Sequence, residues 1–242
     1  RSTGVGPVRG QNNVQGTCDM GDLPNQYPGY QNVTDPEVRK KFEEAWGVKL
    51  SDQIGVQLTR VPELVLKEKD PNKQIHAYYI FGEDPIQSDP HGQEIRQAIA
   101  SVDFVIVQDC FHNRTSAYAD VILPSTAWGE HEGVYTSCDR GFQRVRKCIE
   151  PTGDVKTDCE IICLVSTAMG YPMSYEKTED IWNEMIDLCP KFTGATYEKM
   201  DLYGGVQWPC YSKDLSDKGT PYLHKGGKFA HPDGKGVFIG VD

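Results

Sequence analysis

Two short apolar segments on either side of a helical pattern constrain the fold of this chain more than any other feature. Residues 75–81 are apolar and aromatic, and residues 104–107 form a continuous apolar run. Between them, Ile95 and Ile99 recur at helical spacing in a predicted helix over 91–100. Continuous apolar strands that alternate with a helix are typical of a parallel sheet covered on both faces. We therefore expect an α/β domain with a doubly wound, mostly parallel sheet and helices on both faces.

Capping residues predict where the helices begin. A proline at the first helical position opens a helix after Asp35, and a capping box from Thr157 to Glu160 opens another. Asp89 and Pro90 are predicted to open the helix between the two strands. The other predicted elements are helices over 36–46, 158–169 and 181–188 and a strand over 121–123.

The two ends of the chain differ in character from the α/β unit. Residues 190–235 are rich in Tyr, Pro, Gly and charge, which predicts irregular covering structure. Residues 236–241 alternate like a strand, and the chain opens on a glycine-rich loop without an initial Met. We therefore expect a fragment of a larger multidomain fold.

Charge and apolar run lengths exclude several classes of partner. The chain carries 35 acidic and 25 basic residues, a formal charge of -10, and no basic stripe, so a nucleic-acid partner is not expected. The longest apolar runs are far too short to span a bilayer, which predicts no direct membrane insertion. The eight cysteines form no Cys-x-x-Cys pair, a pattern that favours reduced thiols in a cytoplasmic protein.

Polar residues follow the predicted strands, where open α/β sheets bind ligands. Gly82 allows close approach of a ligand, and Asp84 can accept hydrogen bonds from a ribose hydroxyl or a base edge. Ser88 leads towards a helix N-terminus that favours phosphate, and Gln108 follows the second strand. For each of these residues, the alternative is an ordinary structural role in a turn or a helix cap. Asp158 either provides a favourable charge at a helix start or recognises a base.

Residues 9–16 read RGQNNVQG, an arginine at the head of a run of amides and glycines. Such a run cannot build a core, but its backbone N–H groups and amides can wrap a polar ligand. Arg9 can clamp a carboxylate or phosphate with two parallel hydrogen bonds. The alternative interpretation is a solvated surface loop.

Metal and acid–base chemistry receives little support from the residue pattern. His131 lies between Glu130 and Glu132, but neighbouring side chains on a strand or loop do not converge, so a structural histidine is expected. Cys159 and Cys163 share a predicted helix face without a second pair to complete a site. No metal ligand is therefore assigned.

Six motifs in this order carry a family likeness: VRGQNNVQG at 8–16, GEDP at 82–85, ADVILP at 119–124, WGEHEG at 128–133, DRGFQR at 139–144 and GATYEKM at 194–200. The first four resemble the molybdopterin-dependent oxidoreductases of the dimethyl sulfoxide reductase superfamily. The last two narrow the resemblance to the catalytic subunits of formate dehydrogenases, particularly the H-type and its methanogen relatives. The likeness covers nearly the whole chain.

The resemblance implies a cofactor and a reaction. Members of that family bind molybdenum or tungsten through two molybdopterin guanine dinucleotides, and they oxidise formate to CO2 while electrons leave through an iron–sulfur cluster. Arg9 matches the arginine that orients formate, which assigns it a catalytic role. The positions assigned to the cofactor are Gly10, Gln11, Gly82, Asp84, Ser88, Gln108 and Asp158.

The departures from the family pattern imply missing parts. The cysteine quartet of a 4Fe–4S cluster and the Sec or Cys metal ligand are absent, so we expect the isolated polypeptide to be inactive. The expected partners are the remaining segments of the catalytic subunit and an iron–sulfur electron-transfer subunit. The expected domains are 1–127 with 157–178 (dinucleotide-binding), 128–156 with 179–225 (covering), and 226–242 (start of a C-terminal pterin-binding domain).

Three alternatives stay open from the sequence. One is another enzyme of the superfamily, such as a nitrate reductase or a formylmethanofuran dehydrogenase. A second is a non-catalytic scaffold module of the same fold. A third is a stand-alone nucleotide-binding domain.

Overall fold

The computed structural model describes residues 10–240. Eight α-helices are found there: α1 (Val14–Asp19), α2 (Pro36–Trp46), α3 (Val61–Leu66), α4 (Pro85–Ser88), α5 (Gly92–Ser101), α6 (Asp158–Ala168), α7 (Thr178–Leu188) and α8 (Tyr197–Tyr203). The strands in the same range are β1 (Gln26–Tyr27), β2 (Gln31–Asn32), β3 (Ala77–Phe81), β4 (Phe104–Asp109), β5 (Val121–Pro124), β6 (Gly133–Thr136), β7 (Gly141–Val145) and β8 (Val206–Gln207). None of the helices described here combines the length and the apolar character that a membrane span requires.

The predicted α/β class with a parallel sheet is confirmed. Strands β3, β4 and β5 pair in parallel in that order, with Ala77 opposite Phe104 and Ile106 opposite Val121. One face of the sheet packs against α4 and α5 through a buried cluster of Ile80, Ile86, Ile95, Ile99, Val105 and Val107. On the other face, the N-terminus of α6 reaches β4 through a hydrogen bond between Asp158 and Gln108.

The start of α5 differs from the prediction. Asp89 is extended, because the residue before a proline is disfavoured in the helical region, and α5 begins only after His91. The preceding residues 85–88 form the separate short helix α4, with Pro85 in its first turn. Ser88 therefore ends α4 and does not lead into the N-terminus of α5.

The capping predictions for α2 and α6 are confirmed. The Asp35 carboxylate accepts hydrogen bonds from the backbone N–H groups of the first turn, and Gly47 ends α2 with a φ of 67°. Thr157 and Glu160 form the reciprocal capping box of α6. These signals are local in sequence, so they can be read without knowledge of the tertiary contacts.

A second sheet was not predicted. Strands β6, β7 and β8 form an antiparallel sheet, and the aromatic ring of Phe142 packs edge-on against Trp182 and Phe192. The region 190–235, predicted as irregular, contains α8, which Thr196 caps. The strand predicted at 236–241 is wrong over 236–240, where Phe238 is fully exposed and no described strand lies beside it. The division into three domains stays a prediction.

Gly194 lies beside the aromatic cluster that packs on the second sheet, and it allows a prediction about stability. A Cβ atom at Gly194 would lie 2.2 Å from the Ser212 carbonyl oxygen and 2.5 Å from Cys210 Sγ. We expect Gly194→Ala to lower the free energy of unfolding by about 1–3 kcal/mol, because overpacking a dense core costs roughly that much. Denaturant unfolding measures this. Gly129→Ala is the control, since nothing lies within 4 Å of its Cβ position; equal effects of both variants would contradict the packing described.

Candidate functional site

The chain leaves β3 through a left-handed turn at Gly82. Its φ is 62°, its backbone N–H donates to the Gln108 carbonyl at 2.8 Å, and the space around its Cβ position is open. This conformation favours glycine and leaves room for a ligand to approach the backbone. The predicted role of Gly82 in cofactor binding stays a prediction.

Asp84 is held by the loop that follows β4. Its carboxylate accepts hydrogen bonds from the Thr115 hydroxyl (2.6 Å) and from the backbone N–H groups of Thr115 (3.1 Å) and Arg114 (3.2 Å). Burial raises the pKa of Asp84, but the hydrogen bonds from Thr115 and Arg114 outweigh it and hold the pKa below its usual 3.8. The carboxylate therefore joins the loop after β3 to the loop after β4. Any contact with a ligand would come in addition to this structural role.

Because of Asp84, we expect the free energy of unfolding to depend on pH in the acid range. A lowered pKa contributes stability above pH 3.8, the ordinary value, and that contribution is lost as the pH falls through the lowered value. We expect Asp84→Asn to cost about 1–2 kcal/mol at pH 7, because charge-assisted hydrogen bonds become neutral ones, and less at pH 2.5. Unfolding free energies at both pH values measure this. The exposed Asp154→Asn is the control; a pH-independent effect of Asp84→Asn would refute the assignment.

Ser88 lies one helical turn after Asp84. Its hydroxyl donates to the Asp84 backbone carbonyl at 3.1 Å. The structure thus brings these two predicted residues together at α4, beyond the end of β3. A hydroxyl can also accept a hydrogen bond, so the Ser88 oxygen retains the capacity to contact a ligand.

Gln108 and Asp158 form a second polar pair. Gln108 is 1% exposed, and its amide nitrogen donates to Asp158 Oδ1 at 2.7 Å. The Tyr79 hydroxyl donates to the Gln108 amide oxygen. Burial, and then the charge of Asp158, raises the pKa of Tyr79. The sequence patterns gave Tyr79 no role. They show only an aromatic residue next to Ile80, on the opposite face of the strand.

A cavity of about 880 Å3 extends from Asp158 to the amide-rich run, and its lining does not include Gly82, Asp84, Ser88 or Gln108. Its wall includes Asn13, Gly16 and Thr17 from the start of α1, Asp158 from the start of α6, and the whole of β6. Ligand pockets for molecules of drug size span about 300–1,000 Å3. The cavity is therefore large enough for a nucleotide-sized group that contacts both segments.

The amide-rich run is exposed at its start and buried at Gln15 and Gly16. Gly10 and Gln11 are exposed ahead of α1, and Arg9 lies outside the described residues. Gln15 is buried, and its amide donates to Asp19 (2.7 Å) and to the hydroxyl of Tyr30 (3.0 Å). Gln15 is therefore buried through satisfied polar contacts, and neither hydrophobic cluster includes a described residue of the run.

His131 has a structural partner at the cavity wall. Its Nδ1 shares a hydrogen bond of 2.9 Å with the Thr126 hydroxyl, which fits the expected structural role. Over residues 10–240, no group of three or more His, Cys, Asp or Glu side chains is placed to hold a metal ion. The cysteines in this range are not joined by disulfide bonds.

Comparison of the sequence with known proteins identifies a family and several relatives. The family model for molybdopterin oxidoreductases matches residues 4–168. The chain is 52% identical over 240 residues to formate dehydrogenase H of Escherichia coli, and 41% identical over 242 residues to the F420-dependent formate dehydrogenase subunit alpha of Methanocaldococcus jannaschii. Both alignments cover 99% of this chain but only 33% and 34% of the relatives.

A solved structure agrees with this assignment at the level of the fold. Acetylene hydratase from Pelobacter acetylenicus aligns with a TM-score of 0.53 over 82% of this chain and 26% of the hydratase, at 19% sequence identity. The predicted resemblance is confirmed by the family match, which covers more than half of the chain. This chain belongs to the molybdopterin oxidoreductase family.

Proposed function

We propose that this chain is part of the catalytic subunit of a formate dehydrogenase that oxidises formate to CO2. The observation that carries the proposal is its 52% identity to formate dehydrogenase H over nearly its whole length. Because the chain spans about a third of that relative, the activity belongs to an intact subunit that also contains the remaining segments.

The cavity supports a molybdopterin guanine dinucleotide as the cofactor. Asp158 lines the cavity, and one of its oxygens is used by Gln108. A carboxylate accepts the N–H groups on a guanine edge, and a first-turn position is favourable for negative charge. Outside the cavity wall, at the end of β3, Gly82 offers open backbone and Asp84 and Ser88 offer polar oxygens. The residues present therefore fit the guanosine part of such a cofactor.

When bound, the cofactor would supply a molybdenum or tungsten ion as the acceptor of the two electrons released by formate. The task of this chain is then to hold formate and exclude water. Arg9 would clamp the formate carboxylate with two parallel hydrogen bonds and leave the C–H bond free to react. Gly10 and Gln11, next in the chain, contribute backbone and amide N–H groups to the cofactor.

The oxidation of formate also needs a path along which its electrons leave the site. We expect electrons to leave through a 4Fe–4S cluster elsewhere in the subunit and an iron–sulfur partner subunit, in the cytoplasm. The main alternative is a nitrate reductase or formylmethanofuran dehydrogenase type of enzyme. The motif at 139–144 favours formate dehydrogenase through its sequence resemblance. It adds no contact to the proposed site, since Arg140 donates to the Trp208 and Thr220 carbonyls and has a structural role.

Metal and nucleotide content of the intact subunit tests the cofactor assignment. We expect one molybdenum or tungsten and two guanine nucleotides, released by acid, for each polypeptide. A protein with neither is a scaffold module. A protein with guanine nucleotide but no metal or pterin is a nucleotide-binding domain. Either result would replace the proposed function.

A further inference from the structure

We infer that Tyr79 is a positioning residue, which orients the Gln108 amide and thereby holds the Asp158 carboxylate at the cavity wall, where guanine is proposed to bind. The inference deepens the proposed function and rests on it. Tyr79 is absent from the cavity wall, so it is assigned no contact with the cofactor. It acts through the side chains of Gln108 and Asp158.

Tyr79 and Gln108 lie on the same face of the parallel sheet. Tyr79 pairs with Ile106 of β4, and Gln108 lies two residues further along that strand. Side chains two residues apart on a strand point to the same face, so the Tyr79 ring can reach the Gln108 amide. The N-terminus of α6 approaches this face, whereas α4 and α5 cover the opposite one.

The main chain of Gln108 is fixed by both neighbouring strands. It pairs with Phe81 in β3 and with Leu123 in β5, and its carbonyl accepts a hydrogen bond of 2.8 Å from the Gly82 N–H. The side chain is buried in addition. What stays variable is therefore the orientation of the amide, which its hydrogen-bond partners determine.

Two partners impose one orientation on this amide. A carboxylate can only accept hydrogen bonds, so Asp158 needs the amide nitrogen, which donates to its Oδ1 at 2.7 Å. The amide oxygen accepts the hydrogen bond that the Tyr79 hydroxyl donates. Burial, and then the charge of Asp158, raises the pKa of Tyr79, which agrees with a short chain of contacts between the two residues.

This chain of contacts leaves one oxygen of Asp158 for a ligand. Oδ1 is used by Gln108, and over residues 10–240 no group donates a hydrogen bond to Oδ2. Hydrogen bonds to an ionised carboxylate are about twice as strong as neutral ones, so the N–H groups of a guanine edge are suitable partners. The direction of the Asp158 carboxylate therefore decides how well guanine is held.

Loss of the Tyr79 hydroxyl should disturb that direction. The buried amide oxygen of Gln108 would then have no donor in the described part of the chain. A buried acceptor without a partner is costly, so the amide should turn and its hydrogen bond to Asp158 should be lost.

Paired variants of the intact enzyme test the inference. Tyr79→Phe removes only the hydroxyl, and Gln108→Met replaces the amide with an unbranched apolar group. Tyr78→Phe is the matched control, because Tyr78 packs against the cluster on the opposite face, and its hydroxyl has no hydrogen-bond partner among residues 10–240. The measurements are the rate at which the purified subunit loses acid-releasable guanine nucleotide and the free energy of unfolding.

We expect Tyr79→Phe and Gln108→Met each to speed the loss of guanine nucleotide about tenfold, which corresponds to about 1.4 kcal/mol. Tyr79→Phe should add little in the Gln108→Met background, since the amide that it orients is gone. Tyr78→Phe should lose nucleotide at the wild-type rate.

Four results would overturn the inference: a wild-type rate of loss in Tyr79→Phe, an equal loss in Tyr78→Phe, effects that multiply in the double variant, or a lower free energy of unfolding with nucleotide loss unchanged. A wild-type subunit without guanine nucleotide would overturn the proposed function instead. The unfolding free energies of the single and double variants would then still decide whether Tyr79 holds Gln108, because residues in contact give non-additive changes.

Discussion

Replacement of Arg9 by lysine in the intact enzyme is expected to lower kcat/KM for formate by about ten- to a hundredfold. An ammonium keeps the charge but cannot offer two parallel N–H groups to one carboxylate. A hydrogen bond to a charged group is worth about 1.5–3 kcal/mol, and each 1.4 kcal/mol is a factor of ten in rate. Formate kinetics of the variant with full metal content measure the effect.

The matched control is Arg96→Lys, since Arg96 is an exposed arginine on α5 and is absent from the cavity wall. Its kinetics should equal those of the wild type. If Arg9→Lys were equally silent, Arg9 would have no place in the active site, and the formate clamp would have to be sought elsewhere in the subunit.

Replacement of Asp158 by alanine is expected to empty the cofactor site. The change removes the acceptor proposed for guanine and leaves the buried Gln108 amide without its partner, which costs about 1–3 kcal/mol. We expect the guanine nucleotide retained per polypeptide to fall at least tenfold through purification, and formate oxidation to fall with it. Quantification of acid-released nucleotide measures this.

Asp154→Ala is the control for Asp158, because it removes an exposed carboxylate from the loop ahead of α6. Normal nucleotide content in Asp158→Ala would remove Asp158 from the cofactor site. Asp84→Ala would be a weaker test, since the Asp84 carboxylate also braces Arg114 and Thr115 and its loss disturbs the fold itself.

The sequence predicts the parts of this fold that depend on local chemistry. The strand–helix–strand unit follows from apolar runs and spacing, and the α6 capping box from four consecutive residues. The prediction that Gln108 follows the second strand is wrong by two residues, since it pairs with Phe81 and Leu123 within β4. Its bond to Asp158 places both in one polar pair. The ligand roles of these residues stay predictions.

The remaining features depend on contacts between distant segments. The β6–β7 pair and the role of Tyr79 need neighbours that no spacing rule specifies. The alternation at 236–240 predicts a strand, but alternation gives no strand without a partner to pair with. Ser88 was misplaced because Pro90 shifts the start of α5, an effect that competes with the capping signal at Asp89.

Conversion of carbon-13-labelled formate by the intact, metal-loaded subunit tests the central claim most directly. We expect labelled CO2 to form together with two equivalents of a reduced one-electron viologen dye, since the oxidation of formate releases two electrons. A metal-loaded protein that leaves formate unchanged while it reduces nitrate would contradict the assignment and would place this chain in a different enzyme of the family.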